Sequence, residues 1–172
     1  APGTNDRPSE VIDAQDAFWR AQREARPFAA DVVIDGGGSI CCPGYIDLQL
    51  NGAFGVDFTN GALTEEGTRR VAQGILAHGV TSFLPTVITS AKATYHAVLP
   101  VLRSVQHADR SSTGANILGL HLEGPFISPH KKGAHEPAYI CPEVRSLQSI
   151  YDMYGVENMP DVRLITLAPE LP

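Results

Sequence analysis

One short stretch of the sequence concentrates side chains that could take part in catalysis or bind a metal. In GLHLEGPFISPHKKGAH, residues 119–135, Glu123 ends an apolar run, His121 lies two residues before it and His135 closes the stretch. A carboxylate that points into a protein must pair with a cation, become protonated or bind a metal. Carboxylate and imidazole groups suit Zn²⁺ and Fe²⁺. A metal site and an ion pair of Glu123 with the neighbouring lysine pair are both open readings.

A second set of polar side chains alternates along YIDLQLNG, residues 45–52. Asp47, Gln49 and Asn51 have the period-two spacing of a strand, so we expect all three on one face of it. A buried polar group without a partner costs about 1–3 kcal/mol, so we expect these side chains to bond to neighbouring loops or to line a site. The opposite face of the strand is expected to hold Ile46, Leu48 and Leu50.

The positions of these polar side chains depend on the strands and helices that carry them, and the sequence alternates regularly between apolar runs and amphipathic stretches. The apolar runs end in a Gly, a Pro or a polar residue and cover residues 45–52, 80–86, 116–125 and 162–170. Their spacing is typical of βα units. The stretches between them predict helices over residues 64–78, 91–107 and 143–154. We expect Ser90 to cap the second helix, Pro100 to kink or split it, and Pro142 to precede the third.

A strand, helix, strand order produces parallel strands joined by right-handed crossovers. The apolar runs are nearly continuous, as expected for strands covered on both faces. A doubly wound sheet and a (β/α)₈ barrel both satisfy this pattern, and in both the functional groups collect at the carboxyl ends of the strands. Glu123 lies at such an end.

The first 44 residues have a different pattern. Residues 11–25 predict a short helix or helical loop, and DVVIDGGGSICCPG, residues 31–44, predicts two short strands about a glycine turn. We therefore divide the chain into a small lead-in over residues 1–44 and an α/β domain over residues 45–172.

Composition narrows the function classes. The chain has 172 residues, a formal net charge of −6 and a pI near 5.4, which argues against nucleic acid as a partner. No apolar stretch has the length of a membrane span, so we expect no membrane partner. Three irregularly spaced cysteines do not form a disulfide framework, and a cytoplasmic location fits them.

Four blocks of sequence together resemble a known family. PGYIDLQLNGAFGVDF (43–58), HGVTSFLPTVITS (78–90), LGLHLEGPFISPHKKGAH (118–135) and ITLAPEL (165–171) are similar to N-acetylglucosamine-6-phosphate deacetylase, a family of the amidohydrolase superfamily. The resemblance implies an α/β fold that comprises the first four βα units of a TIM (β/α)₈ barrel, preceded by part of a small β-domain.

The resemblance also implies roles for particular residues. Gln49 and Asn51 match the positions of a metal-binding His-x-His pair in many amidohydrolases, which implies a single divalent metal, Zn²⁺ first and Fe²⁺ or another transition metal next. Glu123 matches a ligand of that metal. His135 matches a histidine that contacts the substrate and polarises its acetamide carbonyl, and Ala134 supplies a backbone contact to the sugar. His121 is expected to make a supporting hydrogen bond.

The activity that the resemblance implies is hydrolysis of N-acetyl-D-glucosamine 6-phosphate to D-glucosamine 6-phosphate and acetate, in amino-sugar recycling. It also implies a homodimer for the full-length enzyme. Two His ligands, the acid–base Asp and most phosphate-binding groups of the family are not recognisable here, so we expect a truncated chain. A chain inactive alone, a chain completed by a second one, a non-catalytic binding module and a deacetylase of a related hexosamine phosphate, such as N-acetylgalactosamine, stay open.

Overall fold

The computed structural model describes residues 34–108, 114–144 and 146–170, together with Ala17, Arg20 and Ala21. The chain divides into two compact units, residues 1–42 and residues 43–172. In the described part of the first unit, residues 34–42 form a turn at Gly37 and Gly38 and no strand. The expectation of two strands over residues 31–44 is therefore wrong for residues 34–44, and the predicted helix over 11–25 lies largely outside the described residues.

The second unit is an α/β fold around a parallel sheet. Its four principal strands pair in the order β1 (Tyr45–Leu50), β4 (Val80–Ile88), β6 (Leu120–Glu123) and β7 (Val162–Thr166). A short strand, β5 (Asn116–Ile117), also pairs in parallel with β4. A small antiparallel hairpin of β2 (Gly52–Ala53) and β3 (Val56–Asp57) follows β1. The prediction of parallel strands is confirmed, whereas their membership of half a (β/α)₈ barrel stays a prediction.

Three α-helices connect the principal strands. They are α1 (Glu65–Gly74), α2 (Lys92–His107) and α3 (Leu147–Tyr154), and short 3₁₀ segments span Ile75–His78, Pro129–Lys131, Pro137–Tyr139 and Val156–Asp161. The Thr64 hydroxyl caps α1 by accepting a hydrogen bond from the Gly67 amide. None of the helices in the described part of the chain is long and apolar enough to cross a membrane.

Two helix boundaries differ from the prediction. The N-cap of α2 is Ala91 rather than Ser90, and α2 continues through Pro100 without a break. Pro100 is exposed, so the carbonyl that loses its partner can bond to water. The third helix begins only after Ser146, whose side chain accepts a hydrogen bond from the Ser149 amide. Glu143, Val144 and Ser146, which the prediction placed in this helix or at its start, are therefore loop.

The core lies between the sheet and the three helices. One face of the sheet contributes Phe83, Val87 and Leu122, which are fully buried in a cluster with side chains of α1, α2 and α3. Burying each such side chain stabilises the fold by about 1.5–3 kcal/mol. The opposite face carries the residues that alternate with these, among them His121 and Glu123. The helices thus cover one face, and the candidate site belongs to the other.

An irregularity in β1 changes which residues share a face. The register between β1 and β4 shifts between Asp47 and Leu50. Leu50 packs against the core, whereas Leu48 lines a cavity with Leu84 and Leu164 on the opposite face. The expected strict alternation is therefore wrong, because Leu48 does not share a face with Leu50. The Asp47 carboxylate accepts a hydrogen bond from the backbone N–H of Gln49 at 3.0 Å. Asp47 does not line the candidate site.

Candidate active site

A cavity of about 440 Å³ opens at the carboxyl ends of the parallel strands. The ends of β1, β4, β6 and β7 and the loop after β6 form its walls. Among the lining residues are all five predicted site residues, namely Gln49, Asn51, Glu123, Ala134 and His135. The structure therefore brings these five residues together in one cavity, and their chemical roles stay predictions.

Glu123 is the central acidic group of this cavity. It is the last residue of β6 and is directly opposite Thr166 of β7. Its Oε2 accepts a hydrogen bond from Gln49 Nε2 at 2.9 Å, and its Oε1 lies 3.5 Å from His135 Nε2. Its side chain is 18% exposed, so the carboxylate is accessible from the cavity but largely removed from bulk water.

The neighbouring lysines do not neutralise this carboxylate. Among the described residues, neither Lys131 nor Lys132 forms an ion pair with Glu123. Lys132 Nζ instead donates to the carbonyl oxygens of Gly133 and His135, at 3.3 and 3.4 Å. The ion pair that the sequence left open is therefore absent, and Glu123 keeps lone pairs free for another partner.

His135 approaches Glu123 from the loop that follows β6. Its Nδ1 lies 2.7 Å from the hydroxyl oxygen of Thr89, directly after β4, and its Nε2 faces Glu123. The side chain is 13% exposed. The loop is tightened by a hydrogen bond from the His135 amide to the Lys132 carbonyl. One imidazole therefore connects the ends of two neighbouring strands.

His121 lies beneath the cavity and has no free nitrogen. Its Nδ1 is 3.0 Å from the Thr86 hydroxyl and its Nε2 is 2.9 Å from the Thr166 hydroxyl. Burial lowers the pKa of His121, although the negative charge of Glu123 acts in the opposite direction. A neutral imidazole between two hydroxyls matches the supporting hydrogen bonds expected from the sequence.

The turn after Glu123 is held by two buried tyrosines. The Tyr154 hydroxyl donates to the Gly124 carbonyl at 2.6 Å, and the Tyr95 hydroxyl lies 3.3 Å from the same oxygen. The two rings meet edge to face with centroids 5.1 Å apart. Burial raises the pKa of both tyrosines, so both hydroxyls remain protonated donors. This packing fixes the backbone next to Glu123.

Sequence reasoning missed the hydroxyl groups around the site. Thr86, Thr89 and Thr166 each contact a histidine, and Tyr95 and Tyr154 bind the turn. Hydroxyl residues are common at strand ends and on helices, so a single sequence does not reveal their partners. The one available signal was PTVITS, where threonines precede and follow the end of β4.

The described residues supply only part of a metal site. They contain no group of three or more His, Cys, Asp or Glu side chains arranged to hold a metal ion. Glu123 lines the cavity and can provide one carboxylate ligand. Gln49 and Asn51 offer amide groups, which are weaker ligands than carboxylate or imidazole for a divalent transition metal. The donor set fits one ligand of a single cation and does not complete its coordination.

The fold and cavity define an α/β protein whose candidate site lies at the carboxyl ends of parallel strands. No family model matches the chain. The chain is 46% identical over 171 residues to the N-acetylglucosamine-6-phosphate deacetylase of Danio rerio, and 36% identical over 132 residues to the N-acetylgalactosamine-6-phosphate deacetylase of Escherichia coli O157:H7. These matches cover 96% and 76% of this chain, and 39% and 33% of the relatives.

A solved structure leads to the same family. The crystal structure of N-acetylglucosamine-6-phosphate deacetylase from Pasteurella multocida superimposes with a TM-score of 0.63 at 35% identity, over 76% of this chain and 32% of that one. The chain is thus homologous to N-acetylglucosamine-6-phosphate deacetylases, and the resemblance seen in the sequence is confirmed. It spans well under half of the length of the relatives that it matches.

Proposed function

We propose that this chain forms part of the active site of a metal-dependent deacetylase. The reaction is hydrolysis of N-acetyl-D-glucosamine 6-phosphate, in which water cleaves the acetamide to give acetate and D-glucosamine 6-phosphate. The observation that carries the proposal is the convergence of Glu123 and His135 in one cavity, with Nε2 3.5 Å from Oε1 and no lysine neutralising the carboxylate. The names of the relatives supply the substrate.

Glu123 is proposed to be the metal ligand. Its Oε2 is oriented by the side-chain amide of Gln49, while its Oε1 lies 3.5 Å from His135 Nε2, so the carboxylate is held in place without a lysine or arginine partner among the described residues. A divalent cation, Zn²⁺ or Fe²⁺, would supply the activation of water when bound. Because Gln49 already donates to Glu123 and amides are poor ligands, Gln49 and Asn51 favour a single ion over a pair.

His135 is proposed to polarise the acetamide carbonyl. His135 Nε2 faces Glu123 at the cavity wall, and an N–H at this position can donate to a substrate carbonyl oxygen bound beside the carboxylate as negative charge develops on that oxygen. Ala134 precedes it in the same wall, where its backbone can contact the sugar. Protonation of the leaving amine requires an acid that the described residues do not place in this cavity, so we assign that step to no residue here.

The proposal extends to the setting of the enzyme. We infer a small-molecule substrate, no nucleic-acid or membrane partner, a homodimer for the full-length protein and a cytoplasmic location. The net charge of −6 supports the exclusion of nucleic acid. The homodimer rests on the family resemblance alone, and the location rests on the three irregularly spaced cysteines.

A chimera tests the proposed activity. This chain replaces the matching 39% of the Danio rerio relative, and acetate release is measured with N-acetylglucosamine 6-phosphate and N-acetylgalactosamine 6-phosphate as alternative substrates. We expect release with Zn²⁺ supplied and a preference for the glucosamine compound. A preference for the galactosamine compound would reassign the substrate. A folded chimera with neither turnover nor bound metal would support a non-catalytic binding module instead.

A further inference from the structure

The Thr89 hydroxyl occupies an unusual position between the two proposed reactive residues. Its oxygen is 2.7 Å from His135 Nδ1 and 3.5 Å from the backbone carbonyl oxygen of Glu123. Thr89 is 4% exposed, so water cannot readily replace either contact. A single hydroxyl has one proton, and that proton must go to one of these two acceptors.

The Thr89 proton can go to the Glu123 carbonyl or to His135 Nδ1, and counting the protons decides between these two arrangements. If Thr89 donates to the distant carbonyl, then His135 Nδ1 must carry a proton, and a neutral imidazole would present a bare lone pair to the Glu123 carboxylate 3.5 Å away. If Thr89 donates to Nδ1 across the shorter distance, the proton of the neutral ring lies on Nε2 and faces Glu123. The second arrangement gives up only the 3.5 Å contact with the Glu123 carbonyl, keeps a donor in the 2.7 Å contact and avoids two acceptors facing one another.

Neighbouring residues fix the hydroxyl in this position. The Tyr95 hydroxyl accepts a hydrogen bond from the Ser90 amide and donates to the Ile88 carbonyl, both at 3.1 Å, so the backbone on each side of Thr89 is held. Gly124 has φ +74°, and a Cβ there would lie 2.2 Å from the Thr89 hydroxyl oxygen. A glycine at this turn therefore leaves the space that the hydroxyl occupies.

We propose that Thr89 is a positioning residue that selects the His135 tautomer with its proton on Nε2. This inference rests on the proposed function, because the Nε2–H is the group assigned to polarise the acetamide carbonyl. In the other tautomer Nε2 could only accept a hydrogen bond, and it would repel a carbonyl oxygen that becomes negative during the reaction. Thr89 acts through His135 and does not itself touch the substrate.

The tautomer can be measured without substrate or metal. The 172-residue chain is labelled with ¹⁵N-histidine, and long-range ¹H–¹⁵N correlation spectra are recorded at alkaline pH. The His135 signal is identified by its loss in His135→Gln. We expect the Nε2–H form in the wild type. In Thr89→Val, which keeps the shape and removes the hydroxyl, we expect its ratio to the Nδ1–H form to fall about fivefold, as for the loss of one hydrogen bond.

Matched variants separate positioning from general damage. Thr89→Ser restores the hydroxyl and should return the wild-type spectrum, whereas Thr166→Val removes a hydroxyl from His121 and should leave the His135 signal unchanged. A wild-type His135 in the Nδ1–H form, or an unchanged ratio in folded Thr89→Val, overturns the inference. If Thr89→Val does not fold, the wild-type spectrum still decides. Failure of acetate release by the chimera counts against the proposed function and leaves the tautomer result standing.

Discussion

The two ends of the parallel sheet each hold a largely buried carboxylate, and the two carboxylates are treated differently. Asp161 immediately precedes β7, where its carboxylate contacts Arg103 Nε at 2.5 Å and His107 Nε2 at 2.9 Å. Glu123, at the opposite end of the neighbouring strand, has an amide at 2.9 Å and an imidazole at 3.5 Å. At the amino ends of the strands, Arg103 and His107 therefore offset the charge of Asp161. At the carboxyl ends, no lysine or arginine among the described residues pairs with Glu123.

This difference separates a structural acid from a functional one. Burial opposes ionisation of Asp161, but the Arg103 hydrogen bond and the charges of His107 and Arg103 outweigh it and hold the pKa of Asp161 below 3.8. The cluster joins the C-terminal end of α2 to the start of β7. Among the described residues Glu123 joins no such cluster, although its side chain is also largely shielded from water. A shielded acid without a paired cation is costly to keep, which favours a chemical role for it.

The largest expected effect on stability comes from breaking the Asp161 cluster. Asp161→Asn leaves Arg103 partly buried without its counter-charge, and we expect the free energy of unfolding to fall by about 2–3 kcal/mol. Urea denaturation at neutral pH measures it. Asp152→Asn is the matched control, because Asp152 is exposed and should change stability by less than about 0.5 kcal/mol. If both substitutions lowered the free energy of unfolding equally, the ion pairs of Asp161 would have no special role in stability.

The same cluster predicts a pH dependence. Because the pKa of Asp161 is lower in the folded state than its ordinary value of 3.8, the unfolded chain binds more protons in acid, so this contribution to stability decreases as the pH falls. The stability difference between wild type and Asp161→Asn should be complete above pH 3.8 and shrink below it. Urea titrations across that range provide the measurement. A difference that grows in acid would contradict the assigned pKa direction.

A smaller effect is expected from Gly124→Ala at the carboxyl end. The new Cβ would lie 2.2 Å from the Thr89 hydroxyl at a backbone φ of +74°, so we expect a loss of about 1–2 kcal/mol in the free energy of unfolding. Adding Thr89→Ala should recover part of this loss, since it removes the clashing oxygen. If the double variant shows no recovery, the close packing of Gly124 against Thr89 is wrong.

The smallest stability change is expected for Glu123→Gln. The new amide oxygen can still accept the Gln49 hydrogen bond, and no lysine or arginine among the described residues loses its partner, so the free energy of unfolding should change by less than about 0.5 kcal/mol. Thermal and urea unfolding of the 172-residue chain measure it beside Asp161→Asn. A loss as large as that of Asp161→Asn would mean that Glu123 is structural too.

The sequence patterns indicated the ends of the strands better than the local geometry around them. Alternating apolar runs and helices predicted that Gln49 and Glu123 lie at the carboxyl ends of parallel strands, and the structure puts both in one cavity, whereas His135 was proposed from the family resemblance. The β1 irregularity was not predictable, since a register shift depends on the pairing with β4. Thr89 was missed for a similar reason, because its partner His135 is distant in sequence.

The Asp161 cluster shows the other limit of sequence reasoning. Asp161 is more than 50 residues from Arg103 and His107 in the sequence, and nothing in their local spacing brings them together. Their contact depends on how α2 packs against the segment before β7. Helix ends were similarly hard to place, because Ser146 rather than Pro142 supplies the cap of α3. Sequence patterns therefore located the strands and helices, whereas tertiary packing determined which side chains contact one another.

The most direct test of a functional Glu123 is acetate release by the chimera with and without Glu123→Gln. With N-acetylglucosamine 6-phosphate and Zn²⁺ supplied, we expect the variant to lose at least about a hundredfold in rate and to bind less metal, while remaining folded. Asp161→Asn in the same chimera should keep its rate as long as it is folded. A Glu123→Gln chimera with wild-type rate and metal content would contradict the assignment of Glu123 as the metal ligand.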